Sequence, residues 1–166
     1  DMYSGGGIPT YWGSTYAAWV MLEHAGELFV GLGGPPLDCV AAVIGRFASV
    51  DADTVPEFEY ALPEEGVMDI LEGPDGTLYV VGVDERANTG VGSVYVRNTA
   101  GVWTRKATLP GFYHVLGADF DQGGRLWIAG QGSPSPVMYS TDGGDTWQET
   151  SFSIGMRSYD VIALST

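Results

Sequence analysis

The sequence predicts an all-β protein built from repeated four-stranded antiparallel units. Three observations carry this. Glycine is abundant, with 25 among 166 residues, while charged residues make up only 17%. Short β-branched and aromatic runs alternate with Gly, Pro, Asn and Asp clusters, and no stretch keeps the apolar period of a helix. Finally, one line of sequence recurs: "AGELFVGLGG" from Ala25, "DGTLYVVGVD" from Asp75 and "GGRLWIAGQG" from Gly123. Each holds a glycine, one spacer, then Leu, an aromatic and a β-branched residue, and Gly26, Gly76 and Gly124 lie 50 and 48 residues apart.

The rest of the unit recurs around that line. An apolar first strand precedes it: "YAAWVMLE", "GVMDILEG" and "YHVLGADF". A third strand follows a Gly/Pro/Asn-rich loop: "CVAAVIGRF", "GSVYVRN" and "SPVMYST". The fourth is "EFEYALP", "GVWTRKATLP" and "DTWQETSF". The turns agree, because "PDG" at Pro74 and "QGG" at Gln122 supply residues that tolerate positive φ between short strands. Four antiparallel strands in about 40–50 residues is the period of a β-propeller blade. A β-sandwich also has short, evenly spaced strands, but the repeat favours the propeller. The predicted organisation is an N-terminal segment over 1–13, blades over 14–65, 66–110 and 111–154, and the first strand of a further blade over 155–166, where "SYDVIALST" lies. Propellers close with about 4–8 blades. Three blades and one strand leave the ring incomplete, to be closed by copies of the chain in a homo-oligomer or by other blades of a longer chain. A first residue that is Asp1 rather than Met, with no signal-peptide pattern, implies processing or a segment of something longer.

Composition bounds the partners. The net charge is −14, and Lys106 is the one lysine beside six arginines. Such a surface repels phosphate backbones, so nucleic acid is not an expected partner. No apolar run approaches the roughly 18 residues of a transmembrane helix, so membrane insertion is not expected. Cys39, inside an apolar run, has neither a disulfide partner nor metal-ligand spacing and reads as a buried structural thiol. His24 and His114 lie too far apart in sequence for a ligand pair, and no phosphate loop, G-x-S-x-G or C-x-x-C occurs. "DFDQGG" at Asp119 lacks most positions of a calcium loop and reads as a hairpin turn. No cofactor, metal or catalytic residue is predicted.

One motif is more specific. "STDGGDTW" holds Ser140, Asp142, Gly144, Thr146 and Trp147 in the order S-x-D-x-G-x-T-W. The carboxylate and hydroxyl suit capping of loop N–H groups, the glycine a left-handed turn, the β-branched Thr a returning strand and the indole an apolar cover. The eight residues resemble the Asp-box, or BNR repeat, of sialidase-like and sortilin-like propellers, many of which are not enzymes. The resemblance implies a hairpin between the third and fourth strands of a blade, on the rim away from any active site. In the second unit, "YVRNTAGVW" keeps Asn98 and Trp103 near the positions of Asp142 and Trp147, one residue short. The lines "DQGGRLWIAG" and "PDGTLYVVG" resemble the D-x-x-G-x-L-W-V hairpin of sensor-type propellers. The F/Y-R-I-P motif of sialidases is absent, and their three-arginine cluster cannot be assembled from the six arginines here.

Function is therefore expected on the opposite rim, from loops entering the first strands and joining the second to the third. These carry Tyr16, Asp84, Glu85, Arg86, Tyr113, His114, Arg157 and Tyr159. Aromatics beside polar groups suit stacking on sugars or a protein surface. The expected function is a non-catalytic binding or structural module of a larger extracellular or virion assembly, such as a phage fibre or a component that binds host-surface glycans. Alternatives are a sialidase-like glycoside hydrolase and an assembly-factor propeller that binds a protein partner, similar to those of photosystem biogenesis.

Overall fold

The computed structural model describes residues 17–33, 42–49, 57–62, 66–83, 91–106, 109–110, 112–132, 135–152, 158 and 160–163. Among them there is no helix. Strands β1 (Ala17–His24), β2 (Glu27–Gly33), β3 (Ala42–Phe47) and β4 (Glu57–Leu62) form an antiparallel sheet in chain order. The next sheet holds β5 (Gly66–Glu72), β6 (Leu78–Val83), β7 (Val91–Arg97) and a fourth strand in two pieces, β8 (Trp103–Arg105) and β9 (Leu109–Pro110), both paired with β7. The third runs β10 (Phe112–Phe120), β11 (Leu126–Gly132), β12 (Val137–Ser140) and β13 (Gln148–Glu149). Single bridges from β10 to β6 and β7, His114 to Val83 and Phe112 to Val91, tie the second and third sheets at one corner. The fold is thus all-β and propeller-like: three four-stranded antiparallel blades in an open ring.

The hairpins between first and second strands explain why the repeated line opens on glycine. Gly26, Gly76 and Gly124 take φ of +84°, +80° and +77°, a region open to glycine at little cost. Ala25 also lies there, at φ +53°, in the two-residue loop of the first hairpin. That loop is tight enough that both central residues must turn left-handed.

Register shows the repeat in three dimensions. Leu28, Leu78 and Leu126 are the ladder partners of Glu23, Glu72 and Phe120, and the aromatics Phe29, Tyr79 and Trp127 follow on the opposite face. Alternation then sends the two sets into different layers. Phe29 and Ile44 of the first blade meet Val67, Ile70, Leu78 and Val80 of the second. Tyr79 and Val81 of the second meet Val115, Leu126, Ile128 and Met138 of the third. The second strand of the middle blade is apolar on both faces because a neighbouring blade covers each of them. In the second of these seams Tyr79 stands edge-on to Phe120, centroids 5.0 Å apart.

The outer faces differ. Met21, Ile70 and Ala118 occupy the same ladder position, opposite Val30, Val80 and Ile128. Ile70 and Ala118 lie in the seams, 4% and 7% exposed, while Met21, on the outward face of the first blade, is 65% exposed. At the other end the N–H of Ser158 bonds Gly130 O at 2.9 Å, which seats the last segment against the third blade. Of the segment over 155–166, the described residues 158 and 160–163 are not in a strand.

The first seam leaves no room at Gly31. A Cβ there would lie 2.7 Å from Val20 Cγ1 and 2.8 Å from Val67 Cβ. Gly31→Ala is expected to destabilise the protein by about 1–3 kcal/mol, the usual penalty for overpacking a core. Urea unfolding followed by tryptophan fluorescence checks this, and an unchanged midpoint would show that β5 does not pack on β2.

Candidate functional site

The S-x-D-x-G-x-T-W residues form the turn from β12 to β13. Ser140, fully buried at the end of β12, donates its hydroxyl to Asp142 Oδ1 at 2.7 Å and accepts the N–H groups of Asp142 and Gly144 at 3.2 and 2.8 Å. Asp142 takes the Thr146 N–H on Oδ1 at 2.9 Å and the Thr146 hydroxyl on Oδ2 at 2.5 Å. Gly143 and Gly144 turn through φ of +69° and +94°, and the Trp147 indole N–H closes on Gly144 O at 3.1 Å. The Thr146 hydroxyl, then its N–H and the Ser140 hydroxyl, hold the Asp142 carboxyl at a pKa of about 2. A carboxylate so engaged is a poor general acid or base near neutral pH.

The hairpin also grips the preceding blade. Trp147 packs against the second seam. Lys106, beyond β8, reaches Asp145 in the hairpin at 2.7 Å. A Cβ on Gly143 would lie 3.0 Å from the Tyr79 hydroxyl of the second blade. The shorter second-blade version works alike. Asn98 Oδ1 accepts the N–H groups of Ala100 and Val102 at 3.0 and 2.9 Å, Gly101 takes φ +78°, and Trp103 packs into the first seam. Arg97 and Ser140 are the ladder partners of Leu78 and Leu126, so the two hairpins begin at matching positions.

The other conspicuous acids are likewise committed to turns and seams. Asp121 accepts the N–H groups of Gly123 and Arg125 on Oδ1, both at 2.9 Å, with the Arg125 Nε–H and the Trp127 indole on Oδ2 at 2.5 and 3.0 Å. The indole first, then Arg125, hold it at a pKa of about 2. Arg125 therefore belongs to the turn before β11 rather than to the strand itself, and it stacks over Trp127 and Tyr139 at 5.2 and 5.9 Å. Glu59 of β4 receives Arg97 through two nitrogens, at 2.9 and 2.7 Å, and the Trp103 indole at 3.0 Å, with Arg46 Nε at 3.3 Å. Burial pushes the Glu59 pKa up, but these bonds and charges outweigh it and leave it below the usual range. Arg105 donates to Ser93 Oγ at 2.6 Å. All four described arginines thus bond within the protein, which leaves no open arginine cluster among the described residues. No group of three or more metal-ligating side chains occurs among them either.

Of the predicted rim, Tyr16, Asp84, Glu85, Arg86, Arg157 and Tyr159 lie outside the described residues, as does Cys39. Tyr113 is placed by its backbone in β10, and His114, half-buried, bridges to Val83 at the blade corner. Sequence reasoning missed Lys106, Glu59 and Asp69 as residues that join blades. The one usable signal was that the single lysine lies within the fourth-strand stretch of a blade. No model of a known protein family matches the chain, and no curated protein matches it.

The Asp142 carboxyl is depressed in the folded protein, so its contribution is present above the ordinary carboxyl pKa of about 4 and is lost as pH falls through about 2. Asp142→Asn is expected to lower the urea midpoint at neutral pH. The gap to the parent protein should shrink steadily between about pH 4 and pH 2. A gap that does not change with pH would mean that the charge on Asp142 does not hold the hairpin.

Proposed function

We propose that the chain is a non-catalytic Asp-box propeller module, of the sialidase-like and sortilin-like kind, that binds a surface glycan or protein partner within a larger extracellular or virion assembly. The observation that carries the reading is the contrast at one repeat position: Met21 is 65% exposed where Ile70 and Ala118 are 4% and 7% exposed. The opening is local, since Val30, Leu32 and Val43 on that same face are 5%, 4% and 7% exposed, so Met21 on β1 offers an apolar contact point rather than an open sheet face. Two further observations support the non-catalytic part. Asp142 and Asp121 are spent on hairpin N–H groups, and Arg46, Arg97, Arg105 and Arg125 are spent on internal acceptors. A net charge of −14 favours neutral or cationic partners over nucleic acid.

Binding is assigned to the rim opposite the box, at Tyr113 and His114 with Tyr16, Asp84, Glu85, Arg86, Arg157 and Tyr159. Two measurements test this. A fluorogenic sialoside and a panel of aryl glycosides should show no turnover. Binding on a glycan array or in a pull-down from a host-cell surface should be lost in Tyr113→Ala and Arg86→Ala while the urea midpoint stays unchanged. Turnover abolished by Asp84→Ala or Glu85→Ala would replace this reading with a glycoside hydrolase.

A further inference from the structure

The backbone ladders divide the described strands into two sheets. β1 to β4 form one, and β5 to β13 form another that spans the second and third blades. Within the larger sheet the start of β10 bridges β6 and β7 of the preceding blade, His114 to Val83 and Phe112 to Val91. Side chains add to this joint. Asp69 of β5 accepts the N–H of Ala118 in β10 at 3.0 Å, and Lys106 reaches Asp145 at 2.7 Å. The second and third blades are therefore joined by main chain as well as by their packed seam.

The first seam is held differently. Its apolar layer is closed, with Phe29, Ile44, Val67 and Val80 fully buried. Among the described residues, however, the polar ties across it are made by side chains. Glu59 of β4 accepts the Arg97 Nε–H and Nη2–H at 2.9 and 2.7 Å and the Trp103 indole N–H at 3.0 Å. Arg97 also stands over the Phe29 ring, 5.3 Å from its centroid. His24 Nδ1 lies 2.9 Å from Glu72 Oε2.

Nearest-neighbour reasoning ranks the two joints. In a stack of repeated units each interface contributes its own stability, and an end unit leaves by breaking one interface. Of the three blades, the first and third are the end units. Departure of the third breaks main-chain bridges as well as an apolar layer. Departure of the first breaks an apolar layer and a cluster of side chains. That cluster holds or fails as a whole, because the Glu59 and Arg97 side chains are only 10% and 16% exposed, and removal of either leaves the other charge buried without its partner.

We propose that the seam between the first and second blades is the joint at which this fold opens. The first blade parts as a unit while the second and third stay together, and Glu59 is the clasp that holds the joint shut.

Native-state amide exchange of the 166-residue chain tests this. Ladder amides of β2 and β3 should exchange through one common opening, about tenfold or more faster than those of β6, β7 and β11. Glu59→Gln should raise the β2 and β3 rates by about tenfold or more. Ile128→Val, which thins the second seam by one methyl group, should raise the β11 rates severalfold and leave those of β2 and β3 unchanged, because that seam stays shut when the first blade parts. This mild variant keeps the test decisive if Glu59→Gln does not fold. Equal rates in the three blades, β2 and β3 rates unmoved by Glu59→Gln, or an Ile128→Val effect shared by β2 and β3 would overturn the proposal.

Discussion

The structure depends on face-to-face packing of successive four-stranded sheets. A sheet apolar on both faces cannot stand alone in water, and burial of each aliphatic side chain is worth about 1.5–3 kcal/mol. β2, β6 and β11 each send a Leu one way and an aromatic the other. The blades must therefore be sandwiched. From this follow the close approach at Gly31, the exposed Met21 at one end and the seating of Ser158 and Ala163 at the other.

Polar chemistry serves those seams. The Asp142 carboxylate shapes a hairpin, and the hairpin delivers Trp147 and Asp145 to the second blade. Glu59 gathers Arg97 and Trp103 across the first seam. Each is an acid with most of its oxygens occupied, and so is Asp121 in its turn. A chain with 21 acidic residues thus offers few free carboxylates among its most conspicuous motifs.

Much of the fold was legible because it is written in short-range chemistry. Glycine at the hairpin turns, two-residue alternation and the S-x-D-x-G-x-T-W order each act within a few residues of chain. Gly26, Gly76 and Gly124 announce their turns for that reason, while Ala25 at φ +53° does not, since nothing in an alanine signals a left-handed backbone. The joints between blades were not legible. Glu59 to Arg97, Lys106 to Asp145 and Asp69 to Ala118 span 38 to 49 residues, and their partners are chosen by register and packing. The break of the second blade's fourth strand into β8 and β9 was equally silent, because Lys106 between them still donates its N–H to Val94.

The central claim is that blades stack through buried seams and that the outward side of β1 stays exposed, and methionine oxidation reads both at once. Met138 lies in the second seam, 8% exposed, and Met21 on the outward face of the first blade, 65% exposed. Brief peroxide treatment of the folded chain, followed by peptide mass spectrometry, should oxidise Met21 rapidly and leave Met138 nearly untouched. Similar rates at the two methionines, or a protected Met21 beside a reactive Met138, would contradict the stacking.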